Sequence, residues 1–378
     1  MAARKLLFVI NHIDWFWSHR LPLAKGAQAL GWDVGVAVTG ASSDPNLLPQ
    51  NFKGYDLPAS DQGYMPFTLI RIIWRIHRIL KVEKPDVVHA ITLKYAFLTG
   101  LAARFHKNVK VIHTLAGLGY LFTGEGIKPK ILRALIGPFL KLALKQRNAY
   151  LIFQNPDDMM LMTQRGFAHA ERCTLIRGSG VDLSTFSFTP LPHNEAPIIL
   201  MPTRLVHEKG IAVFIEAANI VKNQDIAARF QIAGGLSTSN PRAISRAEME
   251  GLIAGTEVEW LGKVSDMASL YQSSTLICYP SYYGEGVPKV LLEAASTGRP
   301  IVTTDHPGCR EAVRHGENGL LVPVKDAGAT AKALISLLED RKKLETMGQS
   351  SRKLAEDEYN VVSVVERTLE VYEKALKI

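Results

Sequence analysis

Short apolar, β-branched runs alternate with longer stretches of helical periodicity along almost the whole chain, and the series runs twice. In the first half the runs lie at residues 5–11, 33–39, 86–90, 109–113, 149–153 and 173–176. In the second they lie at 197–202, 229–234, 257–261, 275–279, 300–304 and 319–322. Strands spaced by helices cannot pair as hairpins; they form parallel sheets with helices on both faces. Between the halves, residues 186–197 hold three prolines in their last eight positions and read as a linker. The fold class expected is α/β: two facing Rossmann-like doubly wound domains. The domains expected are residues 1–188, residues 189–360, and a C-terminal helix, 361–378, crossing back to the first. Ligands of such sheets bind at the carboxyl ends of the strands, which puts the expected active site in the interdomain cleft.

Composition excludes several alternatives. With 378 residues, 47% hydrophobic and 21% charged, the chain can bury two cores and is not disordered. No apolar run reaches the length of a spanning helix. Leu6–Ile10, behind Arg4 and Lys5, is too short for a secretory leader. Cys173, Cys278 and Cys309 are too few and too far apart for a disulfide frame or a zinc site, which suits a reducing, cytoplasmic compartment. A dinucleotide glycine fingerprint, a Walker loop, H-E-x-x-H, G-x-S-x-G and D-x-D are all missing, so dehydrogenase, P-loop, zinc-hydrolase and serine-esterase chemistry lose ground.

Charge divides the chain. Residues 1–190 carry 23 Lys and Arg against 12 Asp and Glu, a net +11, whereas the remainder nets −3. The basic half should therefore face an anionic partner.

The most informative stretch is Pro280–Pro300, where a strand gives way to a glycine-rich turn and a helix starting around Pro288. Glu285 falls in the turn and Glu293 in the helix, eight positions on; a helical rise would separate them by about 12 Å. Read alone, each glutamate is an ordinary surface carboxylate. With the intervening helix N-terminus, which attracts phosphate, the pair can hold hydroxyls at either end of a nucleotide sugar. Arg204 and Lys209, after the first strand of the same domain, can neutralise a leaving diphosphate. Gly234 and Gly235 let the backbone approach a base or phosphate.

Taken with Gly178–Asp182, Phe186 and Asp305–Glu311, these residues resemble a family 4 (GT4) retaining glycosyltransferase of GT-B architecture. Val111–Thr123 and Asp14–Pro22 are similar to bacterial members that extend polyprenyl-diphosphate-linked sugars for surface polysaccharides or glycoproteins. The resemblance implies that Glu285 contacts the donor sugar and Glu293 the ribose. It also implies that Arg204 and Lys209 bind the diphosphate, aided by the backbone of Gly286 and Val287. It implies a retaining reaction with no cofactor and no metal, in which the leaving phosphate oxygen helps deprotonate the acceptor. The donor expected is a nucleoside diphosphate sugar, UDP-linked, and the acceptor a polyprenyl-diphosphate-linked sugar. One departure stands out: Asn11-His12-Ile13-Asp14 replaces the glycine pair that many members carry after the first strand.

In the first half, His113 is read as ending a strand, where family members often place a polar residue against the sugar. His19 and Arg20 are read as opening the first helix, as acceptor or phosphate candidates. Residues 68–84 and 127–147 interleave cations (Arg71, Arg75, Arg78, Lys81; Lys128, Lys130, Arg133, Lys141, Lys145) with apolar side chains. Such helices suit an anionic membrane surface, here the inner face of the cytoplasmic membrane, although packing on a sheet would use the same pattern. Nucleic acid is not expected, because no recognition module is present. The rival readings are a sugar-nucleotide epimerase on the same architecture and a non-catalytic nucleotide-sugar-binding protein.

Overall fold

The computed structural model describes residues 3–59, 66–124, 126–237 and 243–377. The chain packs as two units, one comprising Met1–Ser179, Gly284–Gly286 and Val362–Ile378, the other Gly180–Tyr283 and Val287–Val361.

The first unit holds strands β1 (Lys5–Val9), β2 (Asp33–Val38), β3 (Phe52–Asp56), β4 (Val87–Ile91), β5 (Lys110–Leu115), β6 (Ala149–Phe153) and β7 (Cys173–Leu175). Its helices are α1 (Ile13–His19), α2 (Leu21–Ala29), α3 (Pro66–Glu83), α4 (Leu93–Ala103), α5 (Gly119–Thr123), α6 (Ile127–Leu144) and α7 (Pro156–Gln164). All pairings are parallel, in the order β3-β2-β1-β4-β5-β6-β7. Side-chain alternation sends Leu6 and Phe8 into a core with α1 and α2, and Leu7 and Val9 into a core with α3 and α4.

The second unit holds β8 (Ile198–Pro202), β9 (Arg229–Ala233), β10 (Val258–Gly262), β11 (Leu276–Tyr279), β12 (Ile301–Thr304) and β13 (Gly319–Val322). Their order is β10-β9-β8-β11-β12-β13, again all parallel. The helices are α8 (Ile211–Lys222), α9 (Arg246–Ile253), α10 (Met267–Ser273), α11 (Lys289–Ser296), α12 (Ala327–Leu338) and α13 (Arg341–Leu354). The last helix, α14 (Val361–Leu376), places Val364, Val371, Tyr372 and Ala375 in the core of the first unit, beside α1 and α2.

Every expected run is a strand, with ends displaced by two residues at most. The strand that periodicity missed is β3, whose sequence Phe-Lys-Gly-Tyr-Asp mixes charge with glycine because it lies at the sheet edge and buries only Phe52 fully. In each sheet the strand order reverses beside the first strand, between β1 and β4 and between β8 and β11. Those switch points open a crevice at the strand ends.

Candidate active site

In the second unit, the loop after β8 and the loop after β11 meet at the switch point. Gly210 makes the meeting possible: its φ is +83°, and a Cβ there would stand 2.1 Å from the Pro280 carbonyl oxygen. The Tyr282 N–H donates to the Glu208 carbonyl at 2.9 Å, tying the same two loops. Between them lies Lys209, only 2% exposed. Its Nζ donates to the Tyr279 hydroxyl at 2.6 Å and stands 5.3 Å and 5.1 Å from the ring centres of Tyr279 and Tyr283. Aromatic faces and a phenol oxygen thus orient a buried ammonium. Arg204, two residues beyond β8, is exposed.

Gly234 and Gly235 follow β9. A Cβ on Gly234 would stand 2.1 Å from the Thr203 carbonyl oxygen, so only glycine lets the β9 turn lie against the start of the Arg204 loop. Trp260 Nε1 donates to the Gly234 carbonyl at 2.8 Å and fixes that turn.

The glutamates are arranged differently from the expectation. α11 begins at Lys289, and Pro288 occupies its N-cap with extended backbone (φ −63°, ψ 123°). Glu293 is therefore on the second turn, and Glu285 to Pro288 form a non-helical approach, so the helical-rise estimate of their separation does not apply. Proline ends that approach because its ring fixes φ while its missing N–H costs nothing ahead of a helix. Glu293 is 9% exposed. Its Oε2 lies 3.1 Å from the Tyr271 hydroxyl and its Oε1 3.7 Å from Lys289 Nζ. Burial raises its pKa, opposed by Lys289 and by the Tyr271 hydrogen bond. Tyr271, Tyr279 and Tyr283 were not foreseen as site residues; no local motif distinguishes them from core tyrosines.

Gly284–Gly286 belongs to the first unit by its packing. There Glu285 is half-buried, and a Cβ on Gly117 (φ +90°) would come within 2.6 Å of its Cα. The glycine-rich loop after β5 thus receives the Glu285 backbone.

Three first-unit expectations need correction. His113 does not end a strand: it is the fourth of six residues of β5, wholly buried on the face of Val111 and Leu115. Neither ring nitrogen has a partner among the described residues, and burial lowers its pKa to about 3. His19 closes α1 rather than opening it, and its Nδ1 lies 2.7 Å from Ser18 Oγ. Arg20 sits between α1 and α2, where Pro22 interrupts the helical hydrogen bonding. Asp182 is structural: it accepts from Ser184 and Thr185, which pull its pKa down to about 2.

Two doubly wound parallel sheets, the second with Arg204 and Lys209 after its first strand and Glu293 in the helix that follows β11, are the layout of a GT-B glycosyltransferase. Residues 5–155 match the family described as Glycosyl transferase 4-like, and residues 184–354 match Glycosyl transferases group 1. The chain thus carries a Glycosyl transferase 4-like domain followed by a Glycosyl transferases group 1 domain. It is 27% identical over 371 residues, 95% of both chains, to the N,N'-diacetylbacillosaminyl-diphospho-undecaprenol alpha-1,3-N-acetylgalactosaminyltransferase of Campylobacter jejuni. It is 26% identical over 376 residues (93% of this chain, 94% of the other) to the UDP-Gal:alpha-D-GlcNAc-diphosphoundecaprenol alpha-1,3-galactosyltransferase of Escherichia coli. In fold it superposes on a glycosyltransferase from Rickettsia africae with a TM-score of 0.79, 19% identity and full coverage of both chains.

Proposed function

We propose that this glycosyltransferase moves a hexose or N-acetylhexosamine from a UDP-linked donor to a polyprenyl-diphosphate-linked glycan, with retention at the anomeric carbon and without a metal. The observation that carries the reading is the buried ammonium of Lys209, oriented by Tyr279 where two strand-end loops meet, with Arg204 two residues beyond β8. Fixed positive charge at that place stabilises a departing diphosphate. In the proposed step the bond from anomeric carbon to diphosphate oxygen breaks and the acceptor oxygen bonds on the same face. The acceptor proton passes to the leaving phosphate oxygen. Glu293 takes the ribose hydroxyls and Glu285 the sugar hydroxyls, with the backbone of Gly286 and Val287 at the phosphates and Gly234 and Gly235 beside the nucleotide. The names of the Campylobacter and Escherichia relatives support the lipid-diphosphate acceptor, and the latter supports UDP.

The acceptor's lipid implies work at a cytoplasmic membrane surface. No helix among the described residues is long and apolar enough to cross a membrane. α3 and α6 both pack on α4 and leave Phe67, Ile70, Trp74, Ile131, Leu135 and Phe139 exposed. Lys128, Lys130 and Lys145 stand exposed on α6 or at its end, which suits the interface of an anionic bilayer. Arg133 is engaged within the fold instead, where its Nη1 donates to the carbonyls of Leu121 and Phe122 and holds α5.

Incubation with a panel of nucleotide sugars, with and without a short-chain lipid-diphosphate sugar, tests the reading. The expected result is acceptor-dependent UDP release that survives EDTA. Interconversion of the sugar nucleotide without acceptor would mean an epimerase, and binding without turnover a non-catalytic protein.

A further inference from the structure

Among the described residues, two arginines are more than nine-tenths buried. Arg299 is wholly buried and spends its guanidinium on the carbonyls of Thr189, Pro190, Ser274 and Thr297. Arg20, 7% exposed, has no side-chain hydrogen bond and no ion pair among the described residues, and its Nε is fully enclosed. Its polar neighbours are already committed to each other. Tyr372 Oη lies 2.6 Å from His89 Nδ1, and His89 Nε2 lies 2.7 Å from Thr114 Oγ1. Burial together with the Arg20 charge keeps His89 neutral, and no carboxylate acts on the guanidinium. Burial lowers the Arg20 pKa to about 10, which leaves it charged at neutral pH. A buried charge without a partner is strongly unfavourable and persists where a ligand completes it.

We propose that Arg20 is an anion anchor of the first unit and takes a phosphate of the lipid-diphosphate acceptor. The inference rests on the acceptor class proposed above. A guanidinium with its donors uncommitted presents a planar fork that matches two phosphate oxygens. Arg20 is also the N-cap residue of α2, a nine-residue helix that no side chain caps, so the local field favours an anion. The donor's diphosphate has its own proposed cations, Arg204 and Lys209, in the other unit.

The test is calorimetric titration of the full chain, saturated with UDP, with inorganic pyrophosphate, farnesyl diphosphate and farnesol. The wild type is expected to bind both diphosphates, the farnesyl compound more tightly, and not farnesol. Arg20→Met should weaken diphosphate binding at least about 30-fold, and Arg20→Lys, which keeps the charge and loses the fork, about 10-fold. Without ligand, Arg20→Met should melt about 2–4 °C above the wild type, because an uncompensated charge is gone. Equal diphosphate binding by wild type and Arg20→Met overturns the proposal. So does binding of pyrophosphate but not farnesyl diphosphate, or a lower melting temperature for ligand-free Arg20→Met. Failure of wild type to bind UDP would break the donor reading instead, and titration without UDP then judges Arg20 by the same criteria.

Discussion

The contrast between Arg299 and Arg20 runs through the two units that contain them. In the second unit, buried polar side chains such as Lys209, Glu293 and Arg299 are each held by a neighbour. In the first unit, Asn11, Arg20, Thr99, His113, Tyr150 and Arg172 each enclose a side-chain polar atom without a hydrogen-bond partner among the described residues; in the second, Arg310 Nε is enclosed in the same way, although it lies 3.1 Å from the Asp305 carboxylate. The surfaces differ in the same direction: of the large hydrophobics left exposed among the described residues, all but Phe188, Leu236 and Val324 lie in the first unit. A unit whose Lys209, Glu293 and Arg299 are each oriented by a neighbour is preorganised for a ligand of fixed shape, such as a nucleotide. A unit with open valences and an apolar, basic exterior has places for a further ligand, as proposed for Arg20 and for the exposed face of α6. Sequence charge, +11 against −3, is the coarse trace of that difference.

The largest expected effect concerns the exterior of the first unit. Each Lys near an anionic surface contributes about 1 kcal/mol, and reversing its sign costs more. Replacing Lys128, Lys130 and Lys145 by Glu should abolish flotation with phosphatidylglycerol liposomes at low salt and leave UDP affinity unchanged. Wild type should float at low salt and be released at about 0.5 M salt; wild type that stays in the soluble fraction removes the membrane half of the comparison. Next comes the interior of the second unit. Arg204→Ala or Lys209→Ala should lower turnover about 10²-fold, on the order of 3 kcal/mol of transition-state stabilisation. Rates within about threefold of wild type would take these cations out of the site.

Arg299→Met should lower stability by about 2–3 kcal/mol, because several buried carbonyls lose their donor. Denaturant midpoints read this directly, and a neutral result would mean that saturation of Arg299 does not distinguish it from Arg20. The smallest effect is on pH dependence. Glu293 is raised by burial, so protonation should begin to weaken UDP binding above the usual carboxylate range as pH falls. Removing the Tyr271 hydrogen bond raises that pKa further, so Tyr271→Phe should move the acid limb of UDP affinity to higher pH. An unmoved limb would free Glu293 of Tyr271, whereas Glu293→Ala should lose the limb and about tenfold in affinity.

The parallel sheets were legible because buried parallel strands write continuous apolar runs, as in Leu6–Ile10 and Ile198–Met201. β3 was not, since an edge strand need bury only one side chain. Among the site residues, those fixed by local chemistry were readable: glycines at crowded turns, and Arg204 and Lys209 beside a strand end. Tyr271 and Tyr279 were not, because their partners Glu293 and Lys209 lie 22 and 70 positions away along the chain. The start of α11 lies one residue past Pro288, as expected, whereas α1 begins at Ile13, ahead of the His19 and Arg20 expected to open it, and proline marks a boundary at both places. At Pro22 it separates α1 from α2, and at Pro288 it precedes α11.

One consequence follows from α14. Tyr372 supplies the phenol that meets His89 and packs within 6.0 Å of Trp32, while Val364 and Val371 complete the core around β1. During synthesis the strands of the first unit emerge ahead of the second unit, yet that core lacks a wall until α14 has left the ribosome. The second unit, continuous from residue 180 apart from its three-residue excursion, has its whole sheet in hand sooner. Of the two units, the first is therefore the later to complete its core, although its strands are translated earlier.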